Sequence, residues 1–379
     1  MRIDRIKLEN WRNFRKLDVS LAQRAFIIGP NASGKSNLLD AFRLLKAIAD
    51  PEGGFQRAVA DRGGVSQIRC LHARKQPSVG IEVHLMEGDE HWSYRLEFAQ
   101  DSQRTPQVRK EVVTHNGKEL LSRPNENDEQ DPARLTQTHL EQVNVNQAFR
   151  VVAAFLGDIR YMHIIPQLIR DSDRVLPRQN DPYGTDFLEQ LARTKKPTLK
   201  SRLRRINEAL QGALPYLKDL TLEPDEKGVP HLRGRYDHWR QNAGWQTEEQ
   251  FSDGTLRLMG LLWAFLDGNA PLLLEEPELS LHPGVVRTIP GMMARVGRRQ
   301  KEPRQVFVST HSQDLLSDEG IAPDEVILLT PTLEGTEATV AVSDERIRRQ
   351  MDSGISLAEI ALARTTPRDS SQLTMFGAP

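Results

Sequence analysis

The chain has 379 residues, 38% hydrophobic and 27% charged, which supports a packed core of one or two domains and excludes global disorder. A formal net charge of −1 excludes a general attraction to nucleic acid, so any DNA contact must come from a local patch. Cys70 is the only cysteine, which excludes an intrachain disulfide or a cysteine metal site, and the longest apolar run, Leu258 to Leu266, is far too short to span a membrane.

The opening Met1-Arg2-Ile3-Asp4 starts in a strand pattern with no secretory leader, so the expectation is a soluble cytoplasmic protein without membrane contact. Ile3, Ile6 and Leu8, then Leu17, Val19 and Leu21, alternate as two strands around the polar turn Asn10-Trp11-Arg12-Asn13-Phe14. Phe26-Ile27-Ile28 is a buried strand, and Gly29-Pro30-Asn31-Ala32-Ser33-Gly34-Lys35-Ser36 follows it directly. Leu38, Phe42, Leu45 and Ala49 then mark one face of a helix that opens at Ser36-Asn37 and stops at Pro51-Glu52-Gly53-Gly54. G-x-x-x-x-G-K-S between a strand and a helix is the phosphate-binding P-loop. Its glycines free backbone N–H groups to wrap a triphosphate, and the helix N-terminus adds donors and positive dipole. Lys35 can reach the β- and γ-phosphates, and the Ser36 hydroxyl can ligate Mg²⁺. The chain is expected to bind a nucleoside triphosphate.

Residues 79–98 read as a hairpin turning at Glu87-Gly88-Asp89, and a second pair meets at Asn116-Gly117, so an antiparallel β lobe is expected. Pro124 to Pro132 reads as a surface loop with no visible chemistry. From 135 to 215 helical patterns dominate between prolines, and Pro224 to Tyr236 reads as a turn and short strand. Beyond 250 the expectation is helix 256–266, strand 271–275, helix 284–297, strand 305–309, a helix start at 313–317 and strand 325–330. That alternation implies a largely parallel sheet with crossover helices. The Thr/Pro/Ser-rich tail from Arg364 is expected to be disordered.

Three further stretches complete the chemistry. Pro271-Leu272-Leu273-Leu274-Glu275-Glu276 is an apolar strand ending in carboxylates. In a P-loop fold such a strand delivers its acids to metal and water, Glu275 holding Mg²⁺ directly or through water and Glu276 acting as general base. Phe251-Ser252-Asp253-Gly254-Thr255 precedes a helix, so Ser252 caps it while Gly254 N–H and a hydroxyl face an anion. Val306-Phe307-Val308-Ser309-Thr310-His311 ends a strand in a histidine that could sense a γ-phosphate. Taken singly, the Ser252 loop is an ordinary helix cap and His311 an ordinary loop residue; order and spacing bring them together.

P-loop, Ser-Asp-Gly-Thr loop, Glu-Glu strand and Ser-Thr-His, in that order, resemble the Walker A, signature, Walker B and H-loop of ABC-type ATPase heads. Within that superfamily the chain resembles the SMC/RecF group, including the stand-alone ATPases of prokaryotic DNA-repair and defence operons. Pro277-Glu278-Leu279-Ser280-Leu281-His282-Pro283 matches the junction into the D-loop, and Ile6 to Phe14 the N-terminal strand motif, which adds Arg12 to the nucleotide-contact candidates. The resemblance implies an α/β fold: an ABC-type P-loop ATPase head of mixed or parallel sheet with flanking helices, an antiparallel β lobe, an inserted helical lobe and no long coiled coil. Its expected parts are 1–50 and 246–345 for the head, 51–134 for the β lobe, 135–245 for the helical insertion and 346–379 for a terminal helix and tail.

The resemblance also implies ATP and Mg²⁺, and a head-to-tail homodimer in which two ATPs are sandwiched. Ser252 and Gly254 would then act on the ATP of a second copy, with Ser280 and His282 along the seam. A glutamine of the family senses Mg²⁺; Gln167 is the candidate here and Gln67 the alternative. Three departures stand out: Ala32 where the group has glycine, which a negative φ would tolerate; Glu275 in place of aspartate; and Asp253 in the signature, a carboxylate near an incoming γ-phosphate. The run Arg193 to Arg205 carries seven basic residues and no acid, a DNA-phosphate contact or a solvated helix face. Arg295, Arg298, Arg299, Lys301 and Arg304 read as the basic last turn of a helix. Gln372-Leu373-Thr374-Met375-Phe376 resembles the short peptide with which bacterial proteins dock on the replication sliding clamp. The function implied is a Mg-dependent ATPase in DNA repair or anti-phage defence. The alternative is a nucleotide-gated scaffold holding a separately encoded effector with little turnover.

Overall fold

Alternation in the first ten strand residues sets the larger sheet. Ile3, Ile6 and Leu8 are fully buried, and a register shift between Ile3 and Arg5 brings Ile3 onto the same face as the other two. In this computed structural model, which describes residues 1–73, 76–170, 181–237, 244–298 and 303–365, the chain divides into two units, Met1–Ile159 with Gln305–Pro379, and Arg160–Arg304. The clamp-like peptide Gln372 to Phe376, and Arg299 and Lys301 of the second basic cluster, lie outside the described residues.

In the first unit an antiparallel sheet runs in the order Phe14–Ser20, Arg2–Trp11, Val79–Glu87, Glu90–Gln100, Pro106–His115, Lys118–Arg123. The N-terminal strands therefore share one sheet with the expected β lobe. Asn116 and Gly117 take φ of 48° and 80°, the paired positive values a tight hairpin turn demands. The stretch after Arg123 is more than a surface loop. Asn125 caps the helix Glu126–Gln130 in a capping box with Asp128, and Arg123 bridges the fully buried carboxylates of Asp128 (2.8 Å) and Glu111 (3.0 Å). Sequence reading had no way to see Glu111 across the sheet.

The same unit holds the parallel strands. Arg24–Ile28 pairs in parallel with Val306–Thr310 and with Val326–Thr332, and Gly335–Val340 adds an antiparallel edge. Phe26, Ile27, Ile28, Phe307 and Val308 are all buried, the continuous apolar run of strands covered on both faces. The helix Lys35–Ala49 buries Leu38, Phe42 and Leu45, with the Phe42 ring stacked on Phe307 at 5.2 Å.

In the second unit Leu272–Glu275 pairs in parallel with Arg160–Met162. That three-residue partner is too short to announce itself in sequence. Helices Pro166–Arg170, Phe187–Arg193 and Lys196–Leu210 come next, followed by a three-stranded antiparallel sheet of Leu217–Pro224, Pro230–Tyr236 and Trp245–Thr247, where only one short strand was expected. The helix Asp253–Leu266 is buried on every side from Leu256 to Phe265. Arg304 donates to Ala264 O in the last turn of this helix (2.5 Å) and to Asp267 O (2.7 Å) and Ala270 O just beyond it. Arg304 thus caps this helix and not the one preceding it, and burial lowers its pKa to about 10. The expected helix 284–297 is two, Pro283–Val286 and Ile289–Arg298, because Pro290 has no N–H to carry the ladder through. The longest described helices run 15 residues, too short for a long coiled coil, and no described helix is long and apolar enough to cross a membrane.

Candidate nucleotide site

In the first unit the P-loop leaves the C-terminal end of Arg24–Ile28 and enters the helix at Lys35. Gly34 sits at φ 99° and no side chain caps the helix N-terminus that follows it, the kind of helix start at which anions bind. A side chain here is excluded twice, since an added Cβ would lie 2.2 Å from Asn13 Nδ2. Lys35 donates to Gly29 O (2.9 Å) and Pro30 O (3.2 Å), and the Ser33 hydroxyl is buried without a hydrogen bond. Ala32 corrects the expectation of a negative φ. It sits at 63°, so the loop holds a left-handed turn that costs an alanine more than the family's glycine.

What holds the loop is the turn Asn10 to Phe14. Asn13 Nδ2 donates to Ser33 O (2.8 Å) and Thr336 Oγ1 (2.6 Å), its Oδ1 accepts from Asn37 Nδ2 (2.8 Å), and Trp11 Nε1 donates to Asn37 O (2.7 Å). Asn13 was not among the sequence candidates, although the motif around it was the signal. Arg12 is directed to Asp40 (3.2 Å) and Gln67 O (3.1 Å), and Arg62 clamps Asp40 from another side at 2.9 Å. His311 follows Thr310, which is in register with Ile28, so the histidine is exposed at the strand edge where Gly29 opens the loop. Asn13→Ala is expected to weaken ATP binding about tenfold, from roughly 1 to 2 kcal/mol of lost loop anchoring, with the melting curve little changed. Calorimetric titration of ATP checks this; an unaltered affinity would remove Asn13 from the site.

In the second unit Glu275 is half buried at the end of Leu272–Glu275, and Tyr161 OH donates to its Oε2. His163 Nδ1 lies 3.2 Å from Glu275 O. Neither Tyr161 nor His163 carried a sequence signal. Glu276 takes φ 44° and Ser280 φ 62°, two non-glycine residues in the left-handed region within one short loop, a concentration typical of functional turns. The signature loop is built as expected at Ser252, whose Oγ accepts Thr255 N–H at 3.2 Å and which remains exposed. An added Cβ on Gly254 would meet Ser280 O at 2.7 Å, so the signature and D-loop approach at a distance only glycine allows.

Asp253 is not a bare carboxylate. Its Oδ1 pairs with Arg170 Nη2 at 2.6 Å, and its Oδ2 accepts Gln167 Nε2 at 2.6 Å. The first candidate for Mg²⁺ sensing therefore bonds the signature loop; the alternative, Gln67, has an exposed side chain. Behind them Arg257 is buried, with two guanidinium nitrogens lacking hydrogen bonds. Burial lowers its pKa against the opposing field of Asp253, Glu278 and Glu276.

The first unit thus carries a glycine-bounded loop between parallel strand and helix, and the second an acid-tipped strand and a serine-capped buried helix, the elements of a P-loop ATPase fold. The family model described as "AAA domain, putative AbiEii toxin, Type IV TA system" matches residues 24–318, and the chain belongs to that family. Among solved structures, the SMC head bound to the C-winged-helix domain of ScpA superposes with a TM-score of 0.57 at 14% identity, over 89% of this chain and 97% of that one. The Smc head with an extended coiled coil, bound to the C-terminal domain of ScpA derived from Pyrococcus furiosus, gives 0.55 at 12% identity, over 93% and 99%. At such identities the likeness is one of fold. No curated protein matches the sequence. The chain is a nucleotide-binding head of the ATPase class.

Proposed function

We propose that this protein is a Mg-dependent ATPase that closes head to tail on a second copy when ATP binds. The observation that carries the reading is the pairing of an uncapped, Asn13-anchored P-loop with an exposed signature loop on the same chain. In this reading Gly29 to Asn37 hold the triphosphate of one copy, while Ser252 and Gly254 of the other cover it, with Ser280 and His282 along the seam. Ser36 and Glu275 would hold Mg²⁺, which would neutralise charge between the β- and γ-phosphates. Such an ion needs few protein groups, because phosphate and water supply its other ligands. Glu276 takes a proton from the attacking water and His311 contacts the γ-phosphate. The scaffold alternative drew on Asp253 and Glu275. With Asp253 paired to Arg170, Glu275 is the feature that carries that alternative. Mass measurement by light scattering tests closure: Glu276→Gln with ATP and Mg²⁺ is expected to double in mass, and a monomer under those conditions would end the dimer reading.

The proposed setting is DNA repair or anti-phage defence, with duplex DNA as ligand and a separately encoded protein as partner; the two SMC heads above each carry a ScpA domain. Support for DNA comes from one helix. On Lys196–Leu210, Lys196, Lys200 and Arg204 are exposed at spacings of four, with no acid in the first turn. Lys196 and Lys200, at the positive end of the helix, oppose its dipole and each other, so helix stability does not explain them; Arg204 lies 3.7 Å from Glu208 one turn on. Arg202 is excluded from the row, because it pairs with Asp267 (2.8 Å) and lies over the Trp263 ring. Replacing Lys196, Lys200 and Arg204 together by glutamine is expected to reduce the slope of log affinity against log salt by about 2 to 3 for a labelled duplex. An unchanged slope in fluorescence anisotropy would return the row to a solvated face.

A further inference from the structure

The signature loop carries a charge that opposes phosphate, and its counter-charge is fixed beside it. Arg170 Nη2 bonds Asp253 Oδ1 and also donates to Phe251 O at 2.6 Å, so one guanidinium nitrogen spans the residues on either side of Ser252. Gln167 completes the Asp253 carboxylate from the same short helix, Pro166–Arg170. Arg170 Nε is buried and makes no hydrogen bond. The pair is not buried away: side-chain exposure is 22% for Arg170 and 35% for Asp253, and Ser252 and Gln167 are exposed. The Asp253 carboxylate and Phe251 O hold the guanidinium in place before any ligand arrives.

We propose that Arg170 is a catalytic residue acting in trans, its guanidinium contacting the γ-phosphate of ATP held by the P-loop of a second copy, with Asp253 and Phe251 O fixing its plane. This deepens the dimer reading and rests on it. A γ-phosphoryl group docking on Ser252 Oγ and Gly254 N–H would come within reach of the planar donors of Arg170. During hydrolysis the water oxygen bonds to the γ-phosphorus, the bond to the bridging oxygen breaks, ADP leaves with the electron pair, and the water proton passes to Glu276. Arg170 forms no covalent bond; it offsets charge spread over the equatorial oxygens, and a preset donor is worth most there. Asp253, which looked like an obstacle to phosphate, becomes the residue that presents the arginine.

Complementation between subunits tests the assignment. Lys35→Ala and Arg170→Ala are each expected to lose phosphate release by about 100-fold or more when alone. In a mixed dimer one site joins the P-loop of the Arg170→Ala copy to Arg170 of the Lys35→Ala copy, so an equal mixture is expected to regain about a quarter of wild-type activity. Lys35→Ala mixed with Ser252→Ala is the control for the dimer. Recovery in the control but not with Arg170→Ala would overturn the trans role of Arg170. Failure of both would overturn the dimer reading, and this proposal with it. Should Arg170→Ala misfold, Arg170→Gln keeps donors for Phe251 O and Asp253. It is expected to show the same fall in kcat with unchanged ATP affinity, and Arg170→Lys a partial recovery. An Arg170→Gln as active as wild type would overturn the proposal.

Discussion

Glu276→Gln is expected to release phosphate at least about 100-fold more slowly than wild type while binding ATP with unchanged affinity, the usual scale for loss of a general base. The expectation rests on position and chemistry together. Glu276 follows the strand Leu272–Glu275 and is turned out of it by a φ of 44°, with its carbonyl accepting Leu279 N–H at 3.2 Å. Gln fits the same turn with the same reach. What Gln lacks is basicity. Uniform binding should survive and only the transition state should lose, so kcat falls and KM does not rise. Because the reset step is removed, the same variant should accumulate as the ATP-bound dimer. A wild type no faster than Glu276→Gln, with and without duplex DNA, would refute the ATPase reading. Equal wild-type rates with and without DNA would move the activator elsewhere.

How much of this was legible follows from the range of each interaction. The P-loop could be read because its requirements are local: an apolar strand, two glycines, a lysine and a helix start, all within a dozen positions. The Ser252 cap and the two hairpin turns are local in the same way. Asn13 is the opposite case. Its partners Ser33 and Thr336 lie 20 and 323 residues away, so the motif marked the turn without revealing that it anchors the loop. Asp253 was read as an isolated charge because Arg170 stands far upstream beyond a run of prolines. Ala32 shows a different limit: residue type suggested a negative φ, yet the loop geometry imposed 63° on it. Tyr161 belongs to a strand of three residues, below any periodicity. The architecture came from pattern, whereas the supports of the site came from contacts that no single sequence displays.

Arg123→Ala is expected to destabilise the first unit by about 3 to 5 kcal/mol and lower its melting temperature on the order of 10 °C. The side chains of Arg123, Glu111 and Asp128 are all fully buried. Arg123 donates to Glu111 Oε2 and twice to Asp128, and to Gln137 O and Arg134 O as well. Glu111 in turn accepts His139 N–H (2.8 Å), Leu140 N–H (3.1 Å) and Tyr94 OH (3.1 Å), so the cluster stitches the sheet to the segment that follows it. Removing the cation strands two carboxylates in the interior, and that, more than the lost attraction, is the cost. Burial favours the neutral form of both acids. It raises Glu111, whereas at Asp128 the hydrogen bonds from Arg123 and Asn125 outweigh it and hold the carboxyl at about 2. A lowered pKa gives stability that is present above the ordinary value of 3.8 and is lost as pH falls through about 2. The deficit of Arg123→Ala should therefore be full near neutrality and narrow as acid protonates Asp128. Arg123→Met combined with Glu111→Gln and Asp128→Asn separates the stranded charges from the lost contacts. It is expected to melt above Arg123→Ala, because uncharged partners do not need the cation. If Arg123→Ala melts within a degree or two of wild type at neutral pH, or no lower than the triple variant, the cluster does not hold the sheet.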